Sequence, residues 1–406
     1  MKAKRVGTSA ILALLGLAAV HVDGQQKPAP APAKPAPGPT TPPAPTPAPA
    51  KPTADDLDKK AYGLLRDGKL TDAIAAFNQA LTVDASDIKA YVGLGQAYGQ
   101  SKKYDDAVKS FHHAIDLNPS VPEFHFGLGN ALLDDQKYPA ALTSFERAIE
   151  LRPDSFEFRL ALGGAYMREK DYEGARSAFL RTLGFAPNEP RVHDALGDVN
   201  EQENHHAEAL EEYEAALRLD PKDISALLGR ASALTGLKRF AEAEKAMRDL
   251  VMQQPKEASA HSGLAQALDG AGKHDDAIVE YKAALLLTPD DPYLLGNLGW
   301  AQYGGAHYED AVQSAHKALV KEPKLAYVRF NIGLIFAVQN RWPEASSEYK
   351  QAVAVAAPAD IRSAISDVRE ALIKQPKVRA LKQAQDYLIA AERVSLGLDD
   401  PPPASK

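Results

Sequence analysis

Ala-Tyr-Val-Gly-Leu-Gly-Gln-Ala-Tyr (90–98) returns as Phe-His-Phe-Gly-Leu-Gly-Asn-Ala-Leu (124–132), 34 residues later. Lys-Tyr-Asp-Asp-Ala-Val-Lys-Ser-Phe-His-His-Ala-Ile-Asp-Leu-Asn-Pro (103–119) returns at the same interval as Lys-Tyr-Pro-Ala-Ala-Leu-Thr-Ser-Phe-Glu-Arg-Ala-Ile-Glu-Leu-Arg-Pro (137–153). A fixed period of this length is the mark of a stacked repeat array. Working outward, the unit runs without gap or insertion from Ala54 to about Ala359, nine times.

The recurring columns explain why the unit is structural. In its first half a branched residue precedes a small one: Leu94-Gly95, Leu128-Gly129, Leu162-Gly163, Leu196-Gly197, Leu264-Ala265, Leu298-Gly299 and Ile332-Gly333. The small residue lets a neighbouring helix approach while the branched one fills the gap. The second half usually opens on an aromatic residue, as at Tyr104, Tyr138, Tyr172, Phe240, Tyr308 and Trp342. Three residues on comes an invariant alanine (Ala73, Ala107, Ala141, Ala175, Ala209, Ala243, Ala277, Ala311, Ala345), where a helix crossing leaves room for a methyl group only. Four residues further, on the same helical face, stand Phe77, Phe111, Phe145, Phe179, Tyr213, Met247, Tyr281, Ala315 and Tyr349. Prolines from Pro119 to Pro323 then end the second helix.

Two helices, a tight turn and a proline stop, iterated nine times, resemble the tetratricopeptide repeat (TPR) family over about three quarters of the chain. The resemblance implies an all-α, right-handed α-solenoid, a superhelix of antiparallel helix pairs. The family's signature tryptophan place departs from the pattern, holding Tyr91, His125, Arg159, His193, Leu227, His261, Leu295 and Arg329.

The flanks differ in kind. Met1–Gly24 carries Lys2, Lys4 and Arg5, then an apolar run from about Ile11 to Val20, the layout of a secretory signal peptide cleaved before Gln25. The run is shorter than the ~20 residues of a comfortable transmembrane helix. An uncleaved N-terminal membrane anchor is the alternative. Residues 25–53 form a Pro/Ala-rich linker with Lys27, Lys34 and Lys51, expected to be disordered and to sample extended polyproline II. It reads either as a stalk of up to ~85 Å or as a leader with no partner of its own. Beyond the array, residues 360–396 read as two helices broken at Pro376, with stripes at Ile361, Ile365, Val368 and Leu372 and at Val378, Leu381 and Leu388. Arrays need atypical end units, so this pair is expected to be a cap. Residues 397–406 are expected to form a disordered tail.

The 406 residues are 45% hydrophobic and 25% charged and include no cysteine, which excludes disulfides, thiolate metal sites and thiol nucleophiles. Residues 1–53 hold six Lys/Arg against one acid, and the remainder holds 41 against 53. An acidic body argues against a nucleic-acid partner, whose phosphates need clustered Lys/Arg. No metalloprotease, phosphate-loop or nucleophile-elbow motif occurs. The Gly-Leu-Gly triplets at 93–95 and 127–129 belong to the repeat. His125, His193 and His261 share the signature column and read as packed or hydrogen-bonded repeat residues. His112-His113 and His205-His206 lack the i, i+3 or i, i+4 spacing of helical metal pairs. No catalytic residue, metal site or cofactor is therefore expected.

What remains is surface recognition of a protein or peptide. The resemblance implies that the first helix of each unit lines a concave groove. Without the packing columns, those helices leave a stripe that is mainly polar or small in units two and five to seven, with Asp194, Asp198, Glu201, Ser232, Ser262 and Gln266. In units three and four it offers Phe126, Leu133, Leu160 and Met167, and in units eight and nine Tyr293, Trp300, Tyr303, Tyr327, Phe330 and Leu334. Aromatic side chains are the types that dominate binding energy, so Tyr293–Leu334 reads as a partner-binding hot spot. The competing reading is that the C-terminal helices fold over these side chains as ordinary core. The places matching the family's carboxylate clamp hold none of its residues, which excludes that subfamily. The expected function is an exported, non-catalytic adaptor in the periplasm or secreted from a bacterial envelope. The alternative is an accessory subunit of a secretion, assembly or polysaccharide-export system whose catalytic domain is on another chain, and glycan binding by the aromatic groove is a third reading. No integral membrane span is expected in the mature chain.

Overall fold

The computed structural model describes residues 51–398, and the regular structure within them is twenty consecutive α-helices. The expected signal peptide, the linker up to residue 50 and the tail beyond residue 398 lie outside the described residues. Among the described residues no helix is long and apolar enough to cross a membrane. The chain divides into two compact units at residues 188 and 189.

The first unit contains α1 (Ala54–Arg66), α2 (Leu70–Val83), α3 (Ile88–Gln100), α4 (Tyr104–Leu117), α5 (Pro122–Asp134), α6 (Tyr138–Leu151), α7 (Phe156–Glu169) and α8 (Tyr172–Phe185). The second contains α9 (Pro190–Gln202), α10 (His206–Leu219), α11 (Ile224–Gly236), α12 (Phe240–Gln253), α13 (Ala258–Gly270), α14 (His274–Leu287), α15 (Pro292–Gly304), α16 (Tyr308–Lys321), α17 (Ala326–Val338), α18 (Trp342–Val353), α19 (Pro358–Lys374) and α20 (Arg379–Ser395). Odd-numbered helices are the first of each repeat and pair with the even-numbered helix that follows.

Local chemistry sets the boundaries. Apart from α17, first helices begin either on a carboxylate or hydroxyl cap or with proline in the first turn. Asp87, Asp223 and Asp291 each accept two backbone N–H groups, while Pro122, Pro190 and Pro292 remove a donor that would be orphaned. Between the two helices of every repeat one residue adopts left-handed backbone: Gly68, Lys102, Gln136, Lys170, Asn204, Lys238, Gly272, Ala306 and Asn340. This conformation reverses the chain after the first helix, and only two of the nine places use the residue that adopts it without steric cost.

Packing then follows the columns. All nine column alanines are fully buried. The Phe111 ring of α4 lies between Gly95 of its own repeat and Gly127 of the next, and a Cβ at either glycine would stand 2.7 or 2.5 Å from it. Glycine there is required by the close approach of a ring. Each unit carries its own cores, made of first-helix leucines, column alanines and second-helix rings.

The last two helices, of 17 residues each, are longer than those of the repeats. Ile361, Ile365 and Val368 of α19 and Leu381 and Leu388 of α20 are buried in one cluster with α17 and α18. Their polar faces carry Arg362, Glu370, Lys374 and Lys382.

Candidate functional site

Two faces of the second unit carry most of the residues singled out for recognition, and they are built differently. On α17, Tyr327, Phe330 and Leu334 are 2%, 2% and 3% exposed and belong to the cluster that holds the stripes of α19 and α20. On α15, Trp300 and Tyr303 are half-buried and pack against that cluster, with ring centroids 5.2 Å apart. Burial pushes the Tyr303 phenol up to about 12. Tyr293, at 40% exposure, is the open member of the group. The hot-spot expectation for Tyr327, Phe330 and Leu334 thus meets side chains already engaged in core packing. The physical reason is proximity: α19 and α20 need an apolar seat, and α17 supplies it.

The aromatic and aliphatic candidates of the first unit are also engaged internally. Phe126 sits between the rings of Phe145 and Phe158, at 5.7 and 4.8 Å, while Leu133 and Leu160 are buried and Met167 is half-buried.

The polar face lies on α9, α11 and α13. Ser225 Oγ donates to Asp194 Oδ2 at 2.8 Å, and Ser232 Oγ donates to Glu201 Oε2 at 3.1 Å. Both pairs join consecutive first helices 31 residues apart in sequence. Tyr213 of α10 donates its phenol proton to Asp198 Oδ1 at 2.7 Å in buried surroundings. Glu201 also meets His206 Nδ1 at 2.9 Å. Together with Ser259, Ser262 and Gln266 these helices enclose a cleft of about 20 Å³, lined also by Leu228, Gly229, Ala231, Thr235 and Gly263. Ser262 is 2% exposed and its Oγ has no hydrogen-bond partner. At the far end of α13, burial raises the Asp269 carboxyl above its ordinary range, against the pull of His274 Nδ1 at 2.7 Å.

The signature-column histidines are braces. His193 and His261 bond Glu212 and Glu280 of the paired second helix at 2.7 and 2.6 Å, and Arg329 bonds Glu348 the same way at 3.2 Å. His125 and His261 also bond the carbonyls of Pro119 and Pro255, six residues upstream. They are hydrogen-bonded repeat residues, as the column predicts. Among the described residues no group of three or more His, Asp or Glu is placed to hold a metal ion.

The polar stripe was visible in the sequence, but Ser225, Ser259 and Tyr213 were not singled out with it. The readable signal was a hydroxyl 31 residues after a carboxylate, twice over. His274 was likewise missed and His206 was weighed only as half of a metal pair: both fill the aromatic turn column and face Gly304 and Gly236, where a Cβ would stand 2.4 and 2.5 Å away.

The chain matches the family model described as cilia and flagella-associated protein 70 C-terminal domain over residues 51–291, more than half its length, and a tetratricopeptide repeat model over residues 297–361. Among solved structures it is similar to a tetratricopeptide repeat protein from Parabacteroides merdae, at 16% identity and a TM-score of 0.49, covering 70% of this chain and 98% of that one. It is also similar to MamA from Desulfovibrio magneticus, at 22% identity and a TM-score of 0.39, covering 42% of this chain and 97% of that one. No curated protein matches. The 34-residue columns, the helix pairs they build and the two family models agree, and the chain belongs to the tetratricopeptide repeat family.

Proposed function

We propose that this chain is an exported, non-catalytic interaction scaffold that holds a peptide or partner protein on the first-helix face of α9, α11, α13 and α15. The observation that carries this reading is the chemistry of that face. The column that holds Asp58, Val92, Phe126 and Leu160 in the first unit holds Asp194, Leu228, Ser262 and Gly296 along these four helices, with Asp198 and Glu201 following on the same face of α9. Apolar side chains would pack helices at least as well, and burying carboxylates and hydroxyls is costly unless they are paired. Tetratricopeptide repeat proteins bind protein partners, and a polar recognition face flanked by Tyr293 and Trp300 suits that role. Export rests on the sequence of residues 1–24, and N-terminal sequencing of the protein from its host tests it.

The binding role is tested by affinity purification with cross-linking from the native host, comparing the full chain with a Ser232→Arg, Gln266→Arg double variant. Both positions line the cleft and are half-buried. The expected result is loss of the captured partners at an unchanged melting temperature. Recovery of the same partners by both proteins would sink the reading.

A further inference from the structure

The cleft of α9, α11 and α13 has a definite hydrogen-bonding character. A serine or threonine hydroxyl has one proton to donate and two lone pairs. Ser225 commits its proton to Asp194, Ser232 to Glu201, Thr235 to the Ala231 carbonyl and Ser259 to Glu257. These four residues line the cleft, and each hydroxyl oxygen keeps acceptor capacity with no proton to give. Ser262 Oγ, buried at 2% exposure, has no partner at all. Asp198 lines the cleft, and Asp194 and Glu201 stand behind the serines, so the local field is negative.

Only the Gln266 amide adds donors to this cleft, and a lining otherwise rich in acceptors and carboxylates fits a group that is wholly donor and positively charged. Size then chooses between the two candidates. About 20 Å³ holds one water-sized group. An ammonium is a compact point charge with three donors, whereas a guanidinium is a planar five-donor fork. Leu228, Ala231 and the glycines at 229 and 263 offer an apolar wall for a methylene stem.

We infer that this cleft is a lysine pocket, taking the ammonium of a lysine carried on an extended segment of the partner. The inference rests on the reading of this face as a peptide-binding one and adds the anchor residue. Ser262 supplies the buried oxygen that the ammonium satisfies.

The test uses the full chain and three labelled decapeptides in fluorescence anisotropy at low salt: alternating alanine and lysine, alternating alanine and arginine, and alternating alanine and Nε-acetyl-lysine. The lysine peptide is expected to bind about tenfold more tightly than the arginine peptide, and the acetylated peptide not to bind. Ser262→Ala, which removes a single oxygen, should weaken the lysine peptide about tenfold, the worth of one hydrogen bond to a charged group. Equal binding of lysine and acetyl-lysine peptides would overturn the pocket. So would arginine binding as tightly as lysine, the sign of a diffuse acidic field, or an unchanged Kd in Ser262→Ala. The peptide series on the unaltered chain does not depend on any variant folding. If it fails while native partners are still captured in a Ser232- and Gln266-dependent way, the lysine pocket falls and the scaffold reading stands.

Discussion

Phe330 and Leu228 occupy the same column of the repeat, three units apart, and their surroundings have little in common. Phe330 on α17 lies under α19 and α20 in the cluster that closes the array, whereas Leu228 on α11 lines a polar cleft beside Ser225, Ser232 and Asp198. The column itself demands only a first-helix residue on the face between repeats. What fills it depends on the next layer of protein: two extra helices at one place, and hydroxyl–carboxylate pairs at the other. Aromatic residues in a groove position therefore mean recognition only where nothing else in the chain covers them.

Truncation at the shared column gives the largest effect and can break this contrast directly. Phe330→Ala should lower the unfolding free energy by about 4 kcal/mol, the cost of removing a fully buried ring and leaving a cavity. Leu228→Ala, at a half-buried place, should cost about 1–2 kcal/mol. Urea unfolding of both variants measures the difference. Equal losses would mean that the C-terminal helices do not seat on α17 as described.

A smaller effect separates the second helices of the same two regions. Tyr213 donates to Asp198 from a fully buried place, while the Tyr349 hydroxyl is equally buried and has no partner. Tyr213→Phe removes a bond to a charged acceptor and should cost about 2 kcal/mol. Tyr349→Phe removes an unsatisfied polar atom and should leave thermal stability unchanged or slightly raised. A loss in both variants would remove the distinction between a polar network on one side and plain packing on the other.

Legibility in the sequence follows the same line. The branched–small pair, the invariant alanine and the second-helix ring were readable because each repeats every 34 residues and each has a packing cause that burial and ring distances bear out. The stripe of Ile361, Ile365 and Val368 was readable because one helix face suffices to show it. The left-handed turn position was not, although it repeats as strictly as the alanine, because Lys102, Gln136, Lys170 and Ala306 hold a place where glycine would have announced it. The pairs Ser225–Asp194 and Ser232–Glu201 were not read either. They join neighbouring first helices, and only the stacking of repeats brings residues 31 apart into contact. Packing repeats in every unit and so emerges from one sequence, whereas the departures from the columns take partners fixed by three-dimensional neighbours.

The smallest effect expected comes from extending the contrast to a third carboxylate in the same column. Asp58 of α1 holds the place that Asp194 holds in α9, and Lys89 holds the place of Ser225. Lys89 turns to Asp55, 3.1 Å away, and Asp58, at 2% exposure, receives no hydroxyl and meets the Asp87 carboxyl instead. Burial first, and then the neighbouring Asp87 carboxylate, raise the Asp58 carboxyl to about 7. A carboxyl that holds its proton more tightly when folded contributes its full stability below its ordinary value of 3.8, and that contribution is lost as the pH rises through about 7. Asp58→Asn should therefore change little at pH 4 and stabilise the chain by about 1 kcal/mol at pH 8, since the amide cannot ionise. Asp194→Asn should do the opposite at pH 8, because Ser225 loses a charged acceptor. Thermal melts of the two variants at both pH values decide the matter. The same sign for both substitutions would mean that the hydroxyl partner is not what makes a buried carboxylate tolerable on this face.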